Sequence, residues 1–205
     1  MTVNTHNFEA DTGKILNIVI NSLYSDRDIF IRELLSNASD AIHKRKFIGQ
    51  TTPNTLNSTQ DEIFVDVDEK KKTIMIVDTG IGLTAVDLME TLGTIARSGT
   101  SSFLDSFEEA ADNKDAAKTL IGKFGVGFYS AFMVADRVVV TTRKAGDAET
   151  NVWESDGQSA YTISKSDVSH EAGTSIKLFL RKDAKEYADI TKVKSLIKKY
   201  SDHIQ

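Results

Sequence analysis

Apolar positions recur at helical spacing twice within the first fifty residues. One set runs along residues 14–24 (KILNIVINSLY), the other through Ile31, Leu34, Leu35, Ala38, Ala41 and Ile42. The spacing predicts two helices, the second capped by Asp26 and running to about Ile48. Its middle turn, Ser36-Asn37-Ala38-Ser39-Asp40, is made of residues that helix interiors usually avoid, because Ser, Asn and Asp compete with the backbone for hydrogen bonds. After loop chemistry in residues 49–61 (GQTTPNTLNSTQD) the period changes. EIFVDVDE and TIMIVDTG are β-rich runs around Lys70, Lys71 and Lys72, a hairpin pattern with Ile63, Val65 and Val67 on one face. Thr84, with Asp87 three residues on, predicts a capping box at the head of the helix AVDLMETLG. Residues 97–117, rich in Ser, Gly, Asp and Ala, predict a partly helical, mobile cover. Four more β runs follow, RVVVTTRK, ETNVWESD, SAYTISKS and TSIKLFLR, and then helical spacing at Ile190, Val193, Leu196, Ile197 and Tyr200. Helices that cluster early and strands that pair consecutively late predict an α+β fold on an antiparallel or mixed sheet.

Composition adds exclusions. A chain of 205 residues that is 40% hydrophobic and 27% charged can bury a real core in one large domain. A net charge of -5 argues against nucleic acid or an anionic membrane as the main partner. With no cysteine, a disulfide scaffold, a thiolate metal site and a cysteine nucleophile are all ruled out. No apolar run reaches the roughly 18 residues needed to span a bilayer, and the N-terminal residues carry no targeting pattern. The expectation is a cytoplasmic domain. A single proline and no Gly/Ser-rich stretch leave no obvious linker, so residues 1–205 are expected to form one domain.

Three stretches can carry chemistry. Glu33, Asn37 and Asp40 are spaced so that all three project from one strip of the second helix, which Lys44 continues. The strip reads either as a solvated face or as a carboxylate base one turn from a metal-ligating amide oxygen. In IMIVDTGIGLTA an apolar strand ends in Asp78, and Gly80 and Gly82 open a tight turn where backbone can approach a ligand. Gly80-x-Gly82-x-x-Ala85 also satisfies the spelling of a dinucleotide fingerprint, which keeps an NAD-type oxidoreductase as an alternative. In GKFGVGFYS, Gly122, Gly125 and Gly127 precede a helical-looking YSAFMVA, a loop whose amides can cradle phosphates. No GxxxxGK[ST] occurs, so a P-loop is excluded. His6, His43, His170 and His203 lie too far apart in sequence to suggest a metal site.

Taken in order, RELLSNASDA, DTGIGLT, GTIARSGT, GKFGVGFYSAFMVADRV and GTSIKLFL resemble the N-terminal ATP-binding domain of the ninety-kilodalton heat-shock chaperone family, from about Phe8 to Leu180. The resemblance implies a two-layer α/β sandwich: a mixed, mostly antiparallel sheet covered on one face by helices, with Mg2+ and ATP or ADP bound on the helical side. It implies Glu33 as general base for the water attacking the γ-phosphate and Asn37 as the magnesium ligand. Asp78 corresponds to the carboxylate that accepts the adenine amino hydrogen, with Gly82 and Thr174 completing that contact. Asp40 and Ala41 lie near the base, and Leu83 and Phe128 match apolar pocket positions. Gly122, Phe124, Gly125, Val126 and Gly127 match the end of a lid, residues 97–127, that closes over the phosphates. Arg97 stands where many members have Lys, which keeps the charge but changes the donor geometry. The family also implies a longer, homodimeric parent that acts on client proteins alongside other chaperones. Its further domain supplies an arginine for hydrolysis, so this domain alone is expected to be a monomer that hydrolyses ATP slowly.

Overall fold

The computed structural model describes residues 3–7, 27–52, 60–93, 127–158 and 160–200. The helix expected over residues 14–24, the Asp26 cap and the cover over residues 97–126 lie outside these residues. Seven strands form one sheet in the order β1-β6-β5-β4-β7-β3-β2. They are β1 Val3–Asn7, β2 Ile63–Asp68, β3 Thr73–Asp78, β4 Ala135–Arg143, β5 Thr150–Ser155, β6 Ala160–Lys165 and β7 Gly173–Leu180. Every pairing among the described residues is antiparallel. This excludes the strand-helix-strand crossover that a dinucleotide fingerprint requires, and the oxidoreductase alternative has no support. The late β runs and the lysine hairpin form where their alternation places them, whereas β1 carries no apolar alternation and was not anticipated.

Register explains how the sheet makes both a core and a site. On the helix-covered face, Val65, Ile76, Ile176, Val140, Trp153 and Ile163 sit side by side across six strands as one apolar row. One pleat further along, the same face carries Asp78, Thr174, Thr142 and Asn151 as neighbours, all buried and all polar. The sheet therefore switches from core to polar floor within two residues of each strand.

Helix α1, Ile29–Gly49, lies over that face and packs on β3, on the segment Gly127–Met133 and on the last helix. Its buried side comprises Ile29, Phe30, Ile31, Leu34, Leu35, Ala38 and Ile42. Each fully buried large side chain, such as Phe30 or Trp153, contributes about 1.5–3 kcal/mol to folding. Asp28 occupies the N-cap position but makes no capping bond with its side chain. Its carboxylate instead accepts the Tyr187 hydroxyl at 2.8 Å, tying the start of α1 to the segment Lys182–Ala188. Helix α2, Ala85–Leu92, starts with the expected reciprocal capping box between Thr84 and Asp87. The first five residues of the helical-looking YSAFMVA belong to a 3₁₀ segment, Gly127–Met133, buried at every residue, and its last, Ala135, opens β4. Helix α3, Ile190–Tyr200, closes the described chain. Among the described residues no helix is long and apolar enough to cross a membrane.

Candidate functional site

The chain meets itself at the C-terminal end of β3. Asp78 is buried there, and its Oδ1 accepts the Gly80 N–H at 2.8 Å. The Thr174 amide donates to the same carboxylate. Desolvation pushes the carboxyl up from its ordinary 3.8 to about 7, against the opposing pull of those two amides and of the Arg45 charge. A carboxylate has about four acceptor positions, so two amide bonds leave capacity for a donor in the adjoining cavity.

The turn after Asp78 is locked to three elements. Ile81 donates its N–H to the Ala41 carbonyl of α1 at 3.0 Å, and the Ile81 carbonyl accepts the Ala145 N–H at 2.8 Å. Leu83 N–H donates to the Thr142 hydroxyl at 3.0 Å, which in turn donates to the Gly173 carbonyl at 2.9 Å and lies 3.0 Å from the Thr174 hydroxyl. Gly82 has φ +67, and a Cβ there would stand 2.0 Å from the Arg143 carbonyl oxygen, so the turn tolerates no side chain. A Cβ on Gly80 would meet the Ala41 Cβ at 2.6 Å. The small side chain of Ala41 thus lets the turn dock against α1.

Together these elements enclose a cavity of about 290 Å³, near the lower end of the range for small-molecule sites. Asp78 and Thr174 supply its polar floor, Ile81, Leu83, Leu92, Phe128, Val140 and Ile176 its apolar walls, and Asn37, Asp40 and Ala41 of α1 its side. Phe128 is held edge-on to Trp153, with centroids 5.5 Å apart, so its ring forms a fixed wall. Asn37 and Asp40 are solvent-exposed, as is Lys44 further along the strip. Glu33, one turn before Asn37, is mostly shielded and is gripped by Arg32, whose Nε and Nη2 donate to Glu33 Oε1 at 3.0 and 2.6 Å. Its other oxygen, Oε2, faces Gly127, where a Cβ would stand 2.6 Å away.

The structure therefore brings Asn37, Asp40, Ala41, Asp78, Gly82, Leu83, Phe128 and Thr174 onto one cavity, with Glu33 and Gly127 touching beside it. Arg97, Gly122, Phe124, Gly125 and Val126 lie outside the described residues. Sequence reasoning missed Ala38, Ile81, Thr91, Leu92, Val140 and Ile176, whose apolar or helical spacing reads as core, and it missed Thr142. The Thr142 signal was present: a Thr pair, Thr141-Thr142, follows the apolar run Val138-Val139-Val140.

Asn37 offers a hard amide oxygen to a cation at the rim of this cavity, a donor type that suits Mg2+. Among the described residues no cluster of three or more His, Cys, Asp or Glu could hold a metal ion. The donor set fits an ion that keeps most of its shell as water and ligand oxygens, as Mg2+ does.

Comparison with known proteins agrees with this geometry. The family model of the histidine kinase-, DNA gyrase B- and HSP90-like ATPase matches residues 24–179. The chain is 48% identical over 205 residues to the chaperone protein HtpG of Rickettsia massiliae, covering 100% of this chain and 32% of that protein. It is 47% identical over 198 residues to HtpG of Wolbachia pipientis, 96% of this chain and 31% of that protein. With HtpG of Roseobacter denitrificans the identity is 48% over 201 residues, 98% of this chain and 32% of that protein. The chain thus spans about a third of the length of these relatives. Because the family match spans residues 24–179, most of the chain, the chain belongs to the histidine kinase-, DNA gyrase B- and HSP90-like ATPase family.

Proposed function

We propose that the cavity binds the adenine end of ATP and ADP, and that this chain is the nucleotide-driven motor of a chaperone of the HtpG kind. One observation carries the reading: a buried carboxylate with spare acceptor capacity floors a mostly apolar slot whose open side bears Asn37, one helical turn from Glu33. Asp78 takes the hydrogen of the adenine amino group, Thr174 and the Gly82 turn position the ring edge, and Leu83 and Phe128 flank it. Mg2+, held through Asn37, would neutralise charge on the phosphates when bound. Glu33 takes the proton of the water that attacks the γ-phosphorus, the bond from that phosphorus to its bridging oxygen breaks, and ADP leaves with the electron pair. Arg32 keeps the Glu33 carboxylate pointed in one direction for that transfer.

Residues 97–127 act in this reading as the lid over the phosphates, with Arg97, Gly122, Phe124, Gly125 and Val126 meeting them and Gly127 as the hinge beside Glu33. Client proteins, other chaperones, a homodimeric parent and a cytoplasmic setting belong, in this reading, to a longer protein; the chaperone name of the HtpG relatives supports the client role alone. Calorimetry with Mg-ADP tests the site. Wild type is expected to bind and Asp78→Asn to lose binding, because an amide turns one acceptor into a misplaced donor; unchanged affinity in that variant overturns the base site. Glu33→Ala is expected to bind ADP within twofold of wild type and to abolish hydrolysis in the longer parent.

A further inference from the structure

Strand β2 is the outermost strand of the sheet, and among the described residues it pairs on one side only, with β3. An antiparallel ladder alternates which residues turn their N–H and C=O toward a given neighbour. The Thr79 N–H donates to the Glu62 carbonyl at 3.2 Å, so Glu62, Phe64 and Asp66 bond inward to β3. Ile63, Val65 and Val67 therefore direct their N–H and C=O groups outward, along an edge that no other described strand continues. Natural sheets blunt such an edge with a proline, a bulge or a very short strand. β2 has none of these: it is six residues long, IFVDVD contains no proline, and its register against β3 runs unbroken from Ile63 to Asp68.

What the edge carries instead is charge. On the face of the sheet away from α1, Glu62, Phe64 and Asp66 form one exposed stripe, with Phe64 55% exposed. The carboxylates at either end of the stripe are already paired, Asp61 with Arg45 and Lys46, and Asp68 with Lys71 at 3.2 Å. Glu62 and Asp66 have no cation of their own among the described residues. The stripe decides what can pair with the edge. A second copy docked β2 on β2 about a two-fold axis at Val65, the register that uses the whole strand, would set Glu62 opposite Asp68 of the copy. An axis at Phe64 would set Glu62 opposite Asp66, and an axis at Asp66 would set that carboxylate on itself. The carboxylates thus oppose self-association, whereas an extended segment with cations two residues apart on either side of an apolar residue meets opposite charge at both.

We propose that the outer edge of β2 is a docking strand for an extended, cationic segment of another protein. The segment adds to the sheet through the outward backbone groups of Ile63, Val65 and Val67, and it is selected by basic, apolar and basic side chains on alternate residues, set against Glu62, Phe64 and Asp66. Its intervening residues face the other way and extend the row in which Ile63, Val65 and Val67 already pack, half-buried, on the core, so these positions take apolar side chains. None of the β2 residues lines the nucleotide cavity, and the docking strand stands or falls apart from that reading.

The test uses the whole chain and two synthetic peptides, acetyl-TKVFVKT-amide and its charge-reversed form acetyl-TEVFVET-amide, followed by NMR titration and amide hydrogen exchange. In the free chain the amides of Ile63, Val65 and Val67 are expected to exchange readily, while those of Phe64 and Asp66, bonded to β3, are protected. The lysine peptide is expected to slow the three outward amides by about tenfold or more at saturation. The glutamate peptide is expected to bind about tenfold more weakly, and the double variant Glu62→Lys, Asp66→Lys, at two exposed positions, to exchange the two preferences. Val65→Pro removes one outward N–H and leaves the bonds to β3 in place, a substitution that edge strands accept, and it is expected to lose the lysine peptide. The double variant gives the same decision should the proline variant not fold. ADP affinity is expected to be unchanged in every variant. Three outward amides left unprotected by the lysine peptide, equal affinity for both peptides in wild type, or full binding by folded Val65→Pro overturns the docking strand and leaves the nucleotide site standing.

Discussion

The two ends of the cavity are built on opposite principles. At the base end, Asp78, Thr142 and Thr174 are buried on adjacent strands, and the Gly80–Leu83 turn is bonded to α1, to β4 and to the loop after β4. At the end proposed for the phosphates, Glu33 and Asn37 share one face of α1 with Asp40, which continues the strip toward the base, and Asn37 and Asp40 are open to solvent. Recognition of a flat ring needs donors and acceptors fixed in advance, and buried, cross-linked polar groups supply that. Phosphates and a hydrated cation arrive with their own water, so residues that meet them can stay wet. The weak turn Ser36–Asp40 is tolerated because α1 is held by its buried side, Leu34, Leu35, Ala38 and Ile42, and by the Ile81–Ala41 bond rather than by propensity.

If that contrast holds, damage at the base end costs both folding and binding, and damage at the helix strip costs only ligand chemistry. The largest expected effect is Asp78→Asn, with ADP affinity down at least about 100-fold by calorimetry. Its effect on folding carries a definite sign. Because Asp78 has a folded-state value raised to about 7 above its ordinary 3.8, its contribution to stability is complete below about pH 4 and fades as pH rises through 7. Ligand-free wild type is therefore expected to lose stability from pH 5 to 8 in urea unfolding, and Asp78→Asn, which cannot titrate, to show a flatter profile over the same range at a lower overall stability.

Next comes Gly82→Ala, which forces a Cβ onto the Arg143 carbonyl at a positive φ and is expected to cost about 3 kcal/mol in denaturant unfolding. Thr142→Val keeps shape but strands the Leu83 amide; about 2 kcal/mol of stability and a severalfold loss of ADP affinity are expected. The smallest structural effect is Asn37→Ala, an exposed helical position, where thermal melting is expected to be unchanged or up by a few tenths of a kcal/mol. What that variant loses is the difference between ADP affinity with Mg2+ and with a chelator. A large stability loss there would break the contrast, and a purely ligand-directed effect of Thr142→Val would blur it from the other side.

Legibility in the sequence follows the same division. The Glu33–Asn37–Asp40 strip was readable because helical spacing alone places three residues on one face, whatever the rest of the chain does. The capping box at Thr84 and the lysine hairpin were equally local. Val140 was not readable as a cavity wall, nor the role of Thr142 in bracing the turn, because their partners lie on β7 and in the turn after β3, dozens of residues away. Asp26 was expected at the start of α1, whereas Asp28 holds the cap position and spends its carboxylate on Tyr187, 159 residues on.

By itself, then, the sequence determined the elements, the apolar row and the residue types available for chemistry, since periodicity and turn propensity are local properties. Only the tertiary structure decided which polar groups would lose their water. Antiparallel register set Asp78 beside Thr174 and Thr174 beside Thr142, and the helix laid over them removed solvent. The same packing left the Arg45 charge buried. Burial and pairing are properties of neighbours distant in the chain, and it is they that turn an ordinary aspartate at the end of a strand into the floor of a cavity.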